Sequence, residues 1–263
     1  MHPFLLEIFG RRIPSYGVCM LIGAFAAWFL ARRLAGKNNN DISQAFLICI
    51  AGGLAGLVSL RPIIRIPEVI INWERFRLMP VESFLSYVFG ELVFYGGLIG
   101  GALALVLFCT KFRIQILPVA DVLAPALALA HGIGRIGCFL GGCCFGVPVS
   151  STHPFAVVFP PQSLSAPSGV PLLAVQLIES ACLIALCGLL IIVYRKTSRA
   201  GMSLILYCLI YSVARFVLEF YRGDIGRGIY GPFSTSQYIS FVLFAAGIVL
   251  LFLTTRKKTR AMM

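Results

Sequence analysis

Seven runs of mostly apolar residues divide this chain, at 13–31, 42–60, 92–109, 116–140, 170–194, 202–221 and 235–254. Each is close to the roughly 20 residues that a helix needs to cross the hydrocarbon core of a bilayer. That pattern predicts an all-α, polytopic integral membrane protein of seven transmembrane helices, a single membrane domain over residues 1–263. Composition supports it: 59% of residues are hydrophobic, 12% are charged, and mean hydropathy is +0.92. A soluble globular chain is nearer a quarter charged. The first run has no small-residue cleavage site and reads as a retained span rather than a signal peptide.

Two connections are long. The segment 61–91 mixes Arg61, Arg65, Arg75 and Arg77 with Ile63, Ile66, Ile70 and Trp73, the pattern of an arm lying among lipid headgroups. The segment 141–169 is proline-rich and reads as an extended loop. The net charge of +12 would raise the question of nucleic acid in a soluble protein. Here the basic residues flank spans. Arg32, Arg33, Lys111, Arg113, Arg195, Lys196 and Arg256–Lys258 fall on one side, in short basic connections. The positive-inside rule makes that side cytoplasmic, with the C-terminus in the cytoplasm and the N-terminus outside. On this orientation 141–169 is an extracytoplasmic loop.

The same orientation brings polar residues of five spans to one depth near the outer leaflet. Tyr16, Glu91, Tyr95, Arg135, Gln176, Glu179, Arg215, Glu219 and Arg222 share it. Ionisable groups within a membrane cost several kcal/mol unless paired or facing water, and mark functional sites. Arg215 and Glu219 are four apart, so they could simply neutralise each other. The larger set is better explained by a site. Arginine's planar fork of donors suits phosphate. A phosphate at that depth most simply belongs to a phospholipid headgroup. Two glycine-rich stretches, 95–101 and 134–146, leave backbone bare for helix packing or for a ligand. The second is glycine-rich enough to predict a broken helix end, with a turn that presents N–H groups to an anion.

Taken in order, S-Y-G at 15–17, Y-G-G-L-I-G at 95–100, A-D-V-L-A-P at 120–125, G-R-I-G-C-F at 134–139, Q-L-I-E at 176–179 and R-F-V-L-E-F-Y-R at 215–222 resemble the bacterial prolipoprotein diacylglyceryl transferases. The resemblance spans nearly the whole chain. It implies seven membrane helices in the bacterial cytoplasmic (inner) membrane. It also implies transfer of the diacylglyceryl group of phosphatidylglycerol to the lipobox cysteine of a preprolipoprotein signal peptide, the first step of lipoprotein maturation. Arg135 matches the arginine of the family's G-R-x-G-N-F-x-N-x-E-x-x-G motif, and Gly134, Gly137 and Gly146 match its glycines. Tyr16, Arg215, Glu219 and Arg222 match other site residues, and Gly96 and Gly97 fall in its H-G-G-L-I-G run. Asp121 matches an aspartate of the family.

Some positions depart from that pattern. The motif's two asparagines are Cys138 and Gly141 here, its glutamate is Cys143, and the histidine of H-G-G-L-I-G is Tyr95. Fold and lipid class transfer better than the acceptor does. The resemblance implies Arg135 and Arg215 for the phosphate; the base that makes the thiolate is then Tyr95, at the place of the family's histidine, or His131, four residues before Arg135 where the family usually has a small residue. Tyrosine is mostly protonated at neutral pH, while histidine titrates in a useful range. His131, however, lies one turn deeper than Arg135 and is equally well read as a histidine bonded within the bundle.

The reaction calls for no cofactor. The spacing C-x4-C-C of Cys138, Cys143 and Cys144 lacks the paired C-x-x-C of common zinc sites, so no metal is expected. A disulfide, or simple replacement by small residues, accounts for it better. Two alternatives remain: a divergent paralogue with another acceptor, and a transport or redox protein of the same fold. The absence of an internal repeat weighs against transport.

Overall fold

The structure, a computed structural model, describes residues 3–8, 11–36, 40–81, 83–84, 87, 94–224 and 229–261. The protein is an all-α polytopic membrane protein. Six helices are long and apolar enough to cross a bilayer. They are α1 (Ser15–Ala35), the first part of α2 (Asn40–Ile71), α5 (Ile116–Gly141), α6 (Val175–Lys196), α7 (Met202–Glu219) and α8 (Thr235–Ala261). A short α3 (Trp73–Phe76) and an apolar α4 (Phe94–Lys111) come between α2 and α5 in the sequence.

The chain forms two compact units. One comprises Asn38–Val119 and the other Met1–Lys37 with Ala120–Met263. In the smaller unit the glycines of α2 and α4 let two backbones meet. A Cβ at Gly52 would stand 2.7 Å from the Gly100 carbonyl oxygen, and one at Gly97 would stand 2.9 Å from Leu57 Cγ. Small residues four apart serve this purpose in lipid, where helices gain nothing by hiding apolar area from each other. The segment expected as an interfacial arm starts as a continuation of α2. Arg65 then pairs with Glu68 at 2.9 Å and bonds the Tyr87 hydroxyl at 3.0 Å, beside an apolar cluster of Val69 and Phe76.

In the larger unit, short antiparallel pairs punctuate the helices. They are β1 (Phe4–Ile8) with β2 (Arg11–Pro14), β3 (Ala156–Val158) with β4 (Pro171–Leu173), and β5 (Ile229–Tyr230) with β6 (Phe233–Ser234). The proline-rich loop is therefore not wholly extended coil. The start of the expected fifth span is strand β4, and its helix begins at Val175. Helix ends in this unit are capped by specific groups. Ser234 and Gln237 form a reciprocal capping box at the start of α8. Arg199 reaches the later turns of α8, donating to the Leu251 carbonyl at 3.3 Å and to Thr254 Oγ1 at 3.2 Å. Asp121, buried on α5, accepts the backbone N–H groups of Gly201, Ser203 and Leu204 at the start of α7.

The fourth span differs from expectation. It is one helix to Gly141 rather than a broken end. Its glycines are paid back by packing. A Cβ at Gly132 would stand 3.1 Å from Ile184 Cγ1, and one at Gly137 would stand 2.8 Å from Cys19 Cβ. Neighbouring helices therefore fill the space that the missing side chains leave, and the helix survives its poor propensity. Only after Gly141 does the chain turn, at Gly142 with φ 68°.

Candidate active site

One end of the larger unit gathers the start of α1, the end of α5, the start of α6, the end of α7 and the start of α8. The burial of charge there is unusual. Glu179, Arg215, Glu219 and Arg222 are each less than 10% exposed. Arg135 Nη2 lies 3.0 Å from Glu179 Oε1. The Tyr211 hydroxyl donates to the same oxygen at 3.3 Å, and His131 Nε2 lies 4.0 Å away. The His131 ring stands edge-on to Tyr211, with centroids 5.0 Å apart. Glu179 is thus the hub of this group.

A second group adjoins α8. Arg215 Nη2 pairs with Glu219 Oε2 at 2.6 Å and bonds Ser236 Oγ at 3.0 Å. Arg222 Nη1 lies 3.9 Å from Glu219 Oε2, and its fork grips Asp224, with Nε donating at 2.9 Å. Arg215 and Arg222 also act electrostatically on Glu179. Three guanidiniums therefore face three carboxylates in a nearly dry setting. Two buried donors, Arg135 Nε and Arg215 Nη1, have no hydrogen-bond partner among the described residues. A buried donor left unmade costs about 1–3 kcal/mol, so an incoming anion with free oxygens gains by meeting both.

The family model for prolipoprotein diacylglyceryl transferase matches residues 3–253. The chain belongs to that family. It is 38% identical to the phosphatidylglycerol–prolipoprotein diacylglyceryl transferase 2 of Clostridium perfringens (strain 13 / Type A), covering 95% of this chain and 94% of that one. It is 37% identical to the phosphatidylglycerol–prolipoprotein diacylglyceryl transferase of Clostridium tetani (strain Massachusetts / E88), covering 94% and 96%. Against the enzyme of the same name from Geobacter sulfurreducens (strain ATCC 51573 / DSM 12127 / PCA) identity is 30%, covering 92% and 91%.

The diacylglyceryl transferase motif residues fall into distinct places. Arg135, Arg215, Glu219 and Arg222 come together as described. Tyr16 sits at the start of α1 against Gly137, and interacts electrostatically with Arg135 and with Cys138, Cys143 and Cys144. Gly134 has room: a Cβ there meets only Met20 Sδ, at 3.4 Å. Gly146 has none. It is bridged to Arg222, its N–H bonds the Leu173 carbonyl at 3.0 Å, and a Cβ would stand 3.0 Å from the Tyr221 carbonyl oxygen. Its bare backbone is explained by this packing. Tyr95, Gly96 and Gly97 lie on α4 in the smaller unit, where α2 accounts for the bareness of Gly97. The side chain of Tyr95 and the whole of Glu91 lie outside the described residues.

The structure adds residues that the motifs pass over. Tyr211 lies one turn before Arg215 on the same face of α7, a spacing that could have flagged it. Ser236 and Asp224 carry no motif signal. Gln176, which opens the Q-L-I-E stretch and is fully buried, donates from Nε2 to the Cys143 carbonyl at 2.7 Å. The three clustered cysteines are unbridged. Cys144, in the loop, is held below the ordinary thiol range by hydrogen bonds from Cys138 and Cys143, then by the positive charges of Arg222 and Arg135, against the cost of burial.

Proposed function

We propose that the chain transfers the diacylglyceryl group of phosphatidylglycerol to the lipobox cysteine thiol of preprolipoproteins, at the outer leaflet of the bacterial cytoplasmic membrane. The observation that carries this reading is the convergence of Arg135, Arg215 and Arg222 with two unpartnered buried donors. A groove of about 340 Å³ supports the lipid half. Glu179 and Tyr211 line it along with the apolar Leu183, Leu186 and Leu189, so an acyl chain lying there ends beside the arginines.

The chemistry needs two things. The acceptor sulfur must be a thiolate, and the phosphate must leave. The thiolate attacks the glyceryl carbon, the carbon–oxygen bond to phosphate breaks, and glycerol phosphate departs with the bonding pair. Arginines hold the phosphate while its charge grows, which is where prearranged donors act most strongly. Glu179 and Glu219 keep the guanidiniums in place between turnovers. An N-terminus outside and a C-terminus inside, which the short basic connections favour, put this end of the helices where exported signal peptides emerge.

The test is transfer in vitro. Purified protein is given labelled phosphatidylglycerol and a lipobox peptide, and the thioether and free glycerol phosphate are followed. Both products are expected, and both are expected to fall about 100- to 1,000-fold with Arg135→Ala. Release of glycerol phosphate to a different thiol or alcohol, with the lipobox peptide inert, would favour the divergent-acceptor reading that Cys138, Gly141, Cys143 and Tyr95 raise. No release with any acceptor, from folded and lipid-loaded protein, would sink both.

A further inference from the structure

Cys138 ends the last turns of α5, and Cys143 and Cys144 follow in the loop. The turn at Gly142 folds these residues back, and the three Sγ atoms lie within 4.8 Å of one another. This convergence is built rather than incidental. The Cys143 N–H bonds the Cys138 carbonyl at 3.0 Å, and its Sγ lies 3.6 Å from the same oxygen. From α6, the fully buried Gln176 fixes the Cys143 carbonyl. Cys144 adopts φ 56°, a left-handed conformation that a residue with a side chain takes only at a cost. Strain of this kind collects where a side chain must be aimed.

We propose that Cys138, Cys143 and Cys144 bind a thiophilic divalent cation, ordinarily zinc, with a fourth position open to the acceptor thiol. A C-x4-C-C spacing argues against a common structural finger, but ligation depends on where the sulfurs meet. With Zn–S bonds of about 2.3 Å, tetrahedral ligands stand about 3.8 Å apart, so the trio needs only side-chain rotation to close. No fourth Cys, His, Asp or Glu joins the group among the described residues. Three protein ligands with one open position is the arrangement of catalytic rather than structural zinc.

The charges also fit. Three thiolates and a divalent cation carry one net negative charge, and Arg135 and Arg222 act on this cluster. Cys138 and Cys143 take the places of the motif asparagine and glutamate, in a chain that has Tyr95 where the family has its histidine. The cation site rests on the proposed thiol acceptor and deepens it. A thiol that coordinates the cation is deprotonated outright and gives its proton to solvent. Its sulfur then attacks the glyceryl carbon and displaces glycerol phosphate, as above.

The experiment measures binding first. The full chain is purified in detergent under reducing conditions without chelator, and metal is measured by mass spectrometry. One zinc per chain is expected, lost in Cys138→Ser, Cys143→Ser and Cys144→Ser variants that stay folded, as the phosphatidylglycerol they retain shows. Cobalt(II) put in zinc's place should give tetrahedral thiolate bands. Lipobox peptide, without phospholipid, should shift those bands, and the same peptide with serine for cysteine should not. Absence of cation from the wild type, cation retained by all three variants, or bands blind to the peptide would each overturn the proposal. Chelator-treated protein that transfers at the full rate would also overturn it and leave the transferase reading standing. Bands that respond to the thiol, in protein that releases no glycerol phosphate, would uphold the cation site and sink the transferase reading.

Discussion

Two buried carboxylates on neighbouring helices are alike in burial and opposite in what they accept. Asp121 takes its hydrogen bonds from backbone N–H groups at the start of α7. Glu179 takes its bonds from side chains, Arg135 and Tyr211. Backbone donors belong to the fold and cannot leave, so Asp121 is a cap whose charge meets the positive end of a helix dipole. Side-chain donors can turn to a ligand. Arg135 also keeps one donor without a partner, so Glu179 belongs to a site that is incomplete by itself. An ionisable residue in a membrane span invites a functional reading by default. The donors around it decide which reading holds.

The sharpest way to break this comparison is at the arginine. Arg135→Ala should lower transfer about 100- to 1,000-fold at saturating lipid, the loss seen when one prearranged donor to a developing oxyanion is removed. Arg135→Lys should recover little, because a point charge cannot fork between Glu179 and phosphate. Glycerol phosphate release per folded molecule is the readout. Next comes Glu179→Gln. Arg135 then lacks the partner that orients it, and a misplaced group costs about tenfold to a hundredfold in rate. A rate unchanged by Glu179→Gln would make that carboxylate a cap like Asp121.

Asp121→Asn should act elsewhere. It keeps the shape, but the amide nitrogen cannot accept and is set against a backbone N–H, so at least one of the three hydrogen bonds is lost and about 1–3 kcal/mol of stability goes. The thermal midpoint of the detergent-purified protein should fall by several degrees while turnover per folded molecule stays within about twofold, since nothing near Arg135 moves. A turnover loss matching that of Glu179→Gln at an unchanged midpoint would reverse the two roles.

The contrast also marks where sequence reasoning stops. Apolar length predicts helices that the structure forms, because lipid leaves a chain few other ways to satisfy its backbone. The depth argument finds Arg135, Arg215, Glu219 and Arg222, which do meet. It places Glu179 at the right level without finding it central, because charge pairing between helices leaves no mark in spacing. Asp121 meets Gly201 across 80 positions, which no local pattern reports. The strand Pro171–Leu173 was hidden by being apolar and continuous with the span that follows it. Glycines mislead in the other direction. In 131–141 they argue for a broken helix, yet Cys19 and Ile184 fill the space they leave.

The smallest effect tests how finely the Glu179 hub is built. The Tyr211 hydroxyl lies 3.3 Å from Glu179 Oε1, longer than the Arg135 contact at 3.0 Å. Its ring also stacks on Tyr207 and meets His131 edge-on, so packing holds the side chain in place without the hydroxyl. Tyr211→Phe therefore removes one long hydrogen bond to a carboxylate, worth about 1.5 kcal/mol at the low end for charged partners, and leaves the ring where it is. Transfer should fall about twofold to tenfold, with the thermal midpoint nearly unchanged. The same substitution made in an Arg135→Ala background should cost almost nothing more, because Glu179 then has no guanidinium to aim. A full additional loss in that background would mean that Tyr211 reaches the substrate by itself, and the hub would be two sites rather than one.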